Sequence, residues 1–450
     1  MTRWLACLAL LVGLARPAAA QLNDNQVLLD SLDLVFGDAA SAPTALEALV
    51  ANGDPRVAHN LILTMRYTFL PPQAMRDALS RLTGVPDRGG WFEWMVWRER
   101  ETGLAPHPSF PALQRTVLEA IDPRFAAFLP DGVAHEIRLE EIVWGGVKVD
   151  GIPALVNAAQ VPADEAGYLR DEDLVFGVAI DGDARAYPLR ILDWHEMFND
   201  VVGGVPVSLA YCTLCGAGIL FETTVAGRDA PFTFGSSGLL YRSNKLMYDH
   251  QTGSLWNQFT GRPVVGPLTG SGIELAIRPV AITSWAAWRD ANPDTTVLSL
   301  DTGYQRDYAP GAAYADYFAS PDLMFPAVVA EGGLAAKDFV FGIRAPGGAK
   351  AWPLSVFAGG RVINDRVGFS DVVLVGDAAT RTVRAYAREG RDFAADGGLD
   401  RLAADGQGWT VTEDALVGDD GATLPRVAGH VAYWFAWAGY LRETELYAGD

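Results

Sequence analysis

"DLVFGVAIDGDARAYPLRILDWHEMFNDVVGGVPVSL", residues 173–209, decides the fold. Its short β-branched and aromatic runs are divided by Asp-Gly, Pro-Leu and Gly-Gly, which are strand and turn signals. The pattern returns at 338–374 as "DFVFGIRAPGGAKAWPLSVFAGGRVINDRVGFSDVVL", at an offset of 165 residues with no gap. Phe176 meets Phe341, Gly177 meets Gly342, Pro188-Leu189 meets Pro353-Leu354 and Asn199-Asp200 meets Asn364-Asp365. Downstream, "SWAAW" at 284–288 resembles "YWFAW" at 433–437. Self-similarity of this kind predicts one structural unit used twice, over roughly 170–300 and 335–447. Each unit is expected to be mainly β with one or two helices.

Working outward, residues 24–130 carry helical signals. In "GDPRVAHNLILTMRYTFLPPQAMRDALSRLTG" two helical periods are framed by Asp54-Pro55, Leu70-Pro71-Pro72 and Gly84. "WFEWMVWRERETG" puts Trp91, Trp94 and Arg98 on one face, read as a helix packed into a core. The fold class expected is therefore α+β: a helical N-terminal domain, then a duplicated, mainly β unit. The expected segments are a leader at 1–20, a helical domain at 21–136, a first repeat at 137–330 and a second, degenerate repeat at 331–450.

"MTRWLACLALLVGLARPAAAQ" opens the chain with a basic start, a short apolar run and Ala18-Ala19-Ala20. It reads as a secretory signal peptide cut after Ala20, which predicts a periplasmic or secreted protein. Cys7 precedes most of the apolar stretch, so a lipidation site there fits less well. The apolar run is shorter than the roughly 20 residues a bilayer span requires, so no membrane span is expected. The net charge of −20 becomes −22 once Arg3 and Arg16 leave with the leader. An acidic surface argues against nucleic acid as a partner.

Apart from Cys7, the cysteines are Cys212 and Cys215, in "VPVSLAYCTLCGAGILF". The turn lies between two strand-like runs, where a thioredoxin-type dithiol would have a helix. Two sulfurs aimed at one point, with Gly216 free to take a positive φ, suit half of a metal site. His195, in a helix opened by Pro188 whose apolar face would carry Ile191, Trp194, His195 and Phe198, is the expected third ligand. Met247 or Asp249, on one face of a strand in "LLYRSNKLMYDHQTGSLW", is the expected fourth. Met247 would favour copper and Asp249 zinc, as a single ion. The second repeat has Asp377, Thr380 and Gly360 in place of Cys212, Cys215 and His195, so the unit does not need these side chains in order to fold. His59, His107 and His135 read as surface or capping residues, and His430 as structural. A dithiol–disulfide protein and a non-catalytic binding or structural protein with one small disulfide are the alternatives. A small molecule or a metal ion is the ligand class expected, and no catalytic residue can be assigned.

Together "VDGIPALVNAAQ", "LVFGVAIDGDARAYPLRILDWHEMFND", "YCTLCGAGILFE", "FGSSGLLYRSNKLMYDHQTGSLWNQFTG" and "WRDANPDT" resemble the bacterial and archaeal family called domain of unknown function 3179. The resemblance is strongest over 140–330. It implies no established reaction. The family's turn reads Tyr-Cys-Pro-Leu-Cys-Gly, from which Thr213 departs. Arg commonly stands where this chain has His250, which leaves Met247 and Asp249 ahead of His250 as ligands.

Overall fold

The structure is a computed structural model that describes residues 22–331 and 333–449. The leader expected at 1–20 lies outside the described residues. Helices fill the N-terminal region and sheets dominate the remainder of the chain. The chain divides into two compact units: one runs to Trp91 and takes back Gly103–Leu113, and the other holds Phe92–Thr102 and everything from Gln114.

The first unit holds α1 (Asp24–Phe36), α2 (Ser41–Asn52), α3 (Ala58–Thr64) and α4 (Pro72–Thr83), of which α3, behind the turn opened by Asp54-Pro55, and α4, between Pro71 and Gly84, follow the expected punctuation. Asn23 caps α1 by accepting from the Gln26 amide, and Gly53 and Gly84 close α2 and α4. His59 and His107 are buried, contrary to the surface reading. Each is instead tied inside: His59 Nε2 lies 3.0 Å from Leu104 O and His107 Nδ1 2.9 Å from Ser109 Oγ. Helices α5 (Trp91–Arg100) and α6 (Phe110–Ile121) come next in the chain. Trp94 and Arg98 of α5 are buried, as a core helix requires, and Arg98 donates to Glu140 O at 2.6 Å.

The strands of the second unit begin with β1 (Ile142–Trp144), β2 (Leu155–Val156) and β3 (Gln160–Pro162). Then come β4 (Leu174–Ile180), β5 (Asp183–Pro188), α7 (Leu189–His195), β6 (Met197–Val202), β7 (Val205–Cys212) and β8 (Ala217–Glu222). A hairpin pair and its neighbours form β9 (Phe234–Tyr241), β10 (Asn244–Asp249), β11 (Leu255–Asn257) and β12 (Arg262–Val265). Next are β13 (Ile277–Arg278), β14 (Ala281–Ser284), α8 (Trp285–Ala291), β15 (Thr296–Leu298) and α9 (Ala315–Ala319). The rest is β16 (Phe339–Ala345), β17 (Gly348–Pro353), β18 (Arg361–Val367), β19 (Ser370–Asp377), β20 (Thr382–Ala387), β21 to β25 (between Ala394 and Val427), β26 (His430–Tyr433), α10 (Trp434–Tyr440) and β27 (Glu445–Leu446).

Among the described residues three sheets are mixed and two are antiparallel throughout, and in the sheet with the cysteine turn the parallel pair is β2 on β6. β14-β4-β5-β15-β3 and β26-β16-β17-β27 each hold one parallel pair, β15 on β5 and β27 on β17. β13-β8-β7-β6-β2 carries the cysteine turn, and β1-β9-β10-β11-β12 lies alongside in sequence. The largest core cluster joins Phe176, Tyr187, Phe198 and Tyr211 to Phe341, Trp352, Phe357 and Leu374. β8 packs on β26, and β14 on β20.

The expected helix after Pro188 is shorter than the apolar pattern suggests. It stops at His195 because Glu196 takes a left-handed φ of 54°. Met197 onward then pairs antiparallel with β7, Met197 opposite Ala210 and Val202 opposite Val205. Phe198 therefore sits on a strand and not on the helical face expected for it.

Candidate functional site

Local sequence builds the cysteine turn. β7 runs to Cys212, Thr213–Cys215 form one 3-10 turn, and Gly216 reverses the chain into β8 at a φ of 58°. The sulfurs of Cys212 and Cys215 lie at disulfide-bonding distance, with Cα atoms 5.3 Å apart. Both cysteines are buried, Cys215 at 0% exposure and Cys212 at 2%. Cys215 Sγ lies 3.5 Å from Ser243 O, in the turn between β9 and β10.

Beneath the turn lies an ion pair that the sequence motifs did not reveal. Lys245 Nζ bonds Glu196 Oε2 at 2.9 Å, and both residues are buried. Lys245 also reaches Tyr211 O at 3.5 Å, and Thr213 Oγ1 reaches Glu196 Oε1 at 3.5 Å. Burial lowers the Lys245 pKa, and the Glu196 carboxylate opposes that fall. Lys245 directly before the apolar run Leu246–Met247 of β10 was the signal available in the sequence.

Among the described residues, no group of three or more His, Cys, Asp or Glu side chains is placed to hold a metal ion. His195 is buried, but its Nδ1 lies 2.8 Å from Pro153 O and its Nε2 2.6 Å from Tyr308 Oη. Burial lowers its pKa, which favours the neutral ring. Asp249 accepts from the Thr252 hydroxyl and the Trp256 indole, each at 2.8 Å, and so pins the β10–β11 hairpin. Met247 is fully buried in β10, in register with Trp256 and Ser236. His250 Nδ1 lies 3.1 Å from Thr233 Oγ1.

A pocket of about 380 Å³ opens beside Gly216. Asp193 and Arg190 of α7, Tyr211 of β7, and Lys337, Phe339, Arg381 and Tyr433 from the C-terminal part line it. Asp193 hydrogen-bonds the Tyr211 hydroxyl, while its Oδ1 is buried with no hydrogen-bond partner. Burial, with Glu196 adding repulsion, raises the Asp193 pKa to about 8, against the Tyr211 hydrogen bond. It is therefore largely a neutral acid at pH 7. Arg381 stacks on Phe339, its Cζ 4.4 Å from the ring centroid, and Phe339 lies 4.4 Å from the Tyr433 ring. Among the described residues no carboxylate pairs with the Arg381 guanidinium. Arg190 is paired with Asp173, and Lys337 donates to Tyr317 O and Ser320 O.

Fold and site define an α+β protein whose mixed sheets carry a buried Cys-x-x-Cys turn on the edge of a polar pocket. Within that class the chain belongs to the family described as "Protein of unknown function (DUF3179)", whose match spans residues 149–444. No curated protein and no solved structure matches it. No helix among the described residues is long and apolar enough to cross a membrane.

Proposed function

We propose that this is an exported protein that binds a small molecule in the pocket beside the cysteine turn, with Cys212–Cys215 as a brace that shapes the pocket wall. The observation that carries this reading is Asp193: a carboxyl oxygen buried without a partner on the wall of a pocket large enough for a small ligand. An unmet hydrogen-bonding group inside a protein costs about 1–3 kcal/mol, and a ligand would remove that cost.

The brace reading rests on access. Thiol–disulfide exchange needs an approachable sulfur, and both sulfurs here belong to buried residues. Zinc or copper held by Cys212, Cys215 and His195 would require one imidazole nitrogen of His195 to give up its partner, Pro153 O or Tyr308 Oη. A free-thiol count should find Cys212 and Cys215 oxidised, and elemental analysis should find no stoichiometric zinc or copper. A bound metal with two free thiols would restore the metal reading.

We also propose that the second unit contains a duplicated element. The support is that β4 and β5 match β16 and β17 at the same offset of 165, as do the starts of β7 and β8 against β19 and β20. Side chains match too. Asn199 brackets the Phe234 backbone and Asn364 the Phe393 backbone, each by two hydrogen bonds. The exchanged packing of β8 on β26 and β14 on β20 suits two equivalent halves that embrace each other.

Export rests on the leader, and intact-mass measurement of the secreted protein should give a chain that starts at Gln21. The binding reading is tested by a thermal-shift screen of the exported protein with neutral, anionic and cationic compounds. Hits should vanish in Asp193→Ala and in the pocket-filling variant Leu189→Trp. No hits, or hits indifferent to both variants, would contradict it.

A further inference from the structure

We infer that the ligand of this pocket is an organic carboxylate with a small apolar body, and that Arg381 is its anchor. The inference rests on the proposed binding function and adds the chemistry of what is bound.

The first ground is position. Arg381 stands 165 residues after Gly216, in the turn between β19 and β20, as Gly216 stands in the turn between β7 and β8. Both residues have left-handed backbones, with φ 58° at Gly216 and 55° at Arg381. Glycine takes that conformation without steric cost, whereas a side chain there costs on the order of 1 kcal/mol or more. The second turn thus keeps an arginine where glycine is the easier residue. A side chain held against such a cost points to use.

The second ground is what the guanidinium faces. Its Cζ sits over the Phe339 ring, 4.4 Å from the centroid, and its charge opposes the upward pKa shifts of both the Tyr211 and Tyr433 hydroxyls. It lines the same pocket as Asp193 and has no carboxylate partner among the described residues. A planar fork of N–H donors fixed on an aromatic face matches a carboxylate, which it can bind through two parallel hydrogen bonds.

The third ground is the balance of the remaining groups. Arg190 and Asp173 cancel as a pair, Lys337 is turned onto carbonyl oxygens, and Glu172 is exposed. With Asp193 protonated, these lining groups carry one net positive charge. Leu189, Ile282 and Phe318 add apolar wall. The neutral Asp193 carboxyl then offers a hydrogen bond to the same ligand without repelling it.

The test is calorimetric titration of the mature protein with benzoate, benzamide and benzylamine, three probes of one shape and different charge. Benzoate should bind at least tenfold more tightly than the other two. Arg381→Gln should lower benzoate affinity at least tenfold and erase the preference, while Arg381→Lys should keep part of it. Arg381→Gly, which fits the observed backbone without strain, guards against a folding artefact and should behave like Arg381→Gln while keeping the thermal transition. Equal binding of all three probes, tighter binding of benzamide or benzylamine, or benzoate binding that ignores Arg381 would overturn the carboxylate assignment and leave the pocket reading standing. No binding of any probe also overturns it. If the thermal-shift screen then gives no hits sensitive to Asp193 and Leu189, the pocket reading falls as well.

Discussion

Asp193 shows how one residue ties the pocket to stability. Its carboxyl titrates near pH 8 in the fold and near 3.8 as an ordinary aspartate. Between those values the folded state holds a proton that the unfolded state has lost, so stability falls as pH rises through this window. Glu196, Tyr211, Tyr314 and Tyr433 are titratable groups that share its field. Asp193→Asn should remove this contribution, so the difference in urea midpoint between about pH 5 and pH 8 should shrink; an unchanged difference would contradict the shift. Lys245 gives a second expectation. Lys245→Met strands the Glu196 charge in the interior, and breaking such a pair costs about 3–5 kcal/mol. The double change Lys245→Met with Glu196→Gln should recover much of that in chemical denaturation. At this scale the sequence was partly legible. Cysteine is rare in the chain, so the Cys212–Cys215 turn was visible, and its reversal at Gly216 came from the residue type. Asp193 and Arg381 were not visible, because their importance comes from burial and from a partner segment far along the chain.

At the scale of elements, a repeated device fastens helix to sheet. Gly177 of β4 lies under Trp288 of α8, and Gly342 of β16 lies under Trp437 of α10. A Cβ at Gly177 would fall 2.1 Å from Trp288, and one at Gly342 would fall 2.2 Å from Trp437. Each indole is tethered as well, Trp288 to Thr295 and Trp437 to Thr444. Gly177→Ala and Gly342→Ala should each cost at least the roughly 1–3 kcal/mol typical of overpacking, read as lowered urea midpoints. A neutral result at either site would mean that the indole moves freely. These glycines and tryptophans were legible as recurring letters, and strand positions could be read from turn residues between β-branched runs. The end of α7 was not legible. An apolar pattern at helical spacing continues through Phe198, and only pairing with β7 decides that the chain becomes strand after Glu196.

At the scale of the whole molecule, the division into a helical N-terminal region and a β-rich remainder was legible from texture alone. The compact units were not, since Phe92–Thr102 belongs with the later sheets although it reads as one more N-terminal helix. Periodicity reports which face of a helix is apolar, not which core receives it. The metal expectation came from comparing side chains special to the first proposed repeat, and such a comparison finds what differs but does not by itself find what meets. His195 links Pro153 to Tyr308, contacts that a glycine, as at Gly360, has no side chain to make. The pocket instead draws on residues from both proposed halves, and its use as a binding site is the central claim. The most direct test is a crystal of the mature protein soaked with a mixture of neutral, anionic and cationic fragments. The expected result is fragment density beside Gly216, in contact with both Asp193 and Arg381. Fragments that bind only elsewhere, or a pocket filled by protein side chains in that crystal, would contradict it.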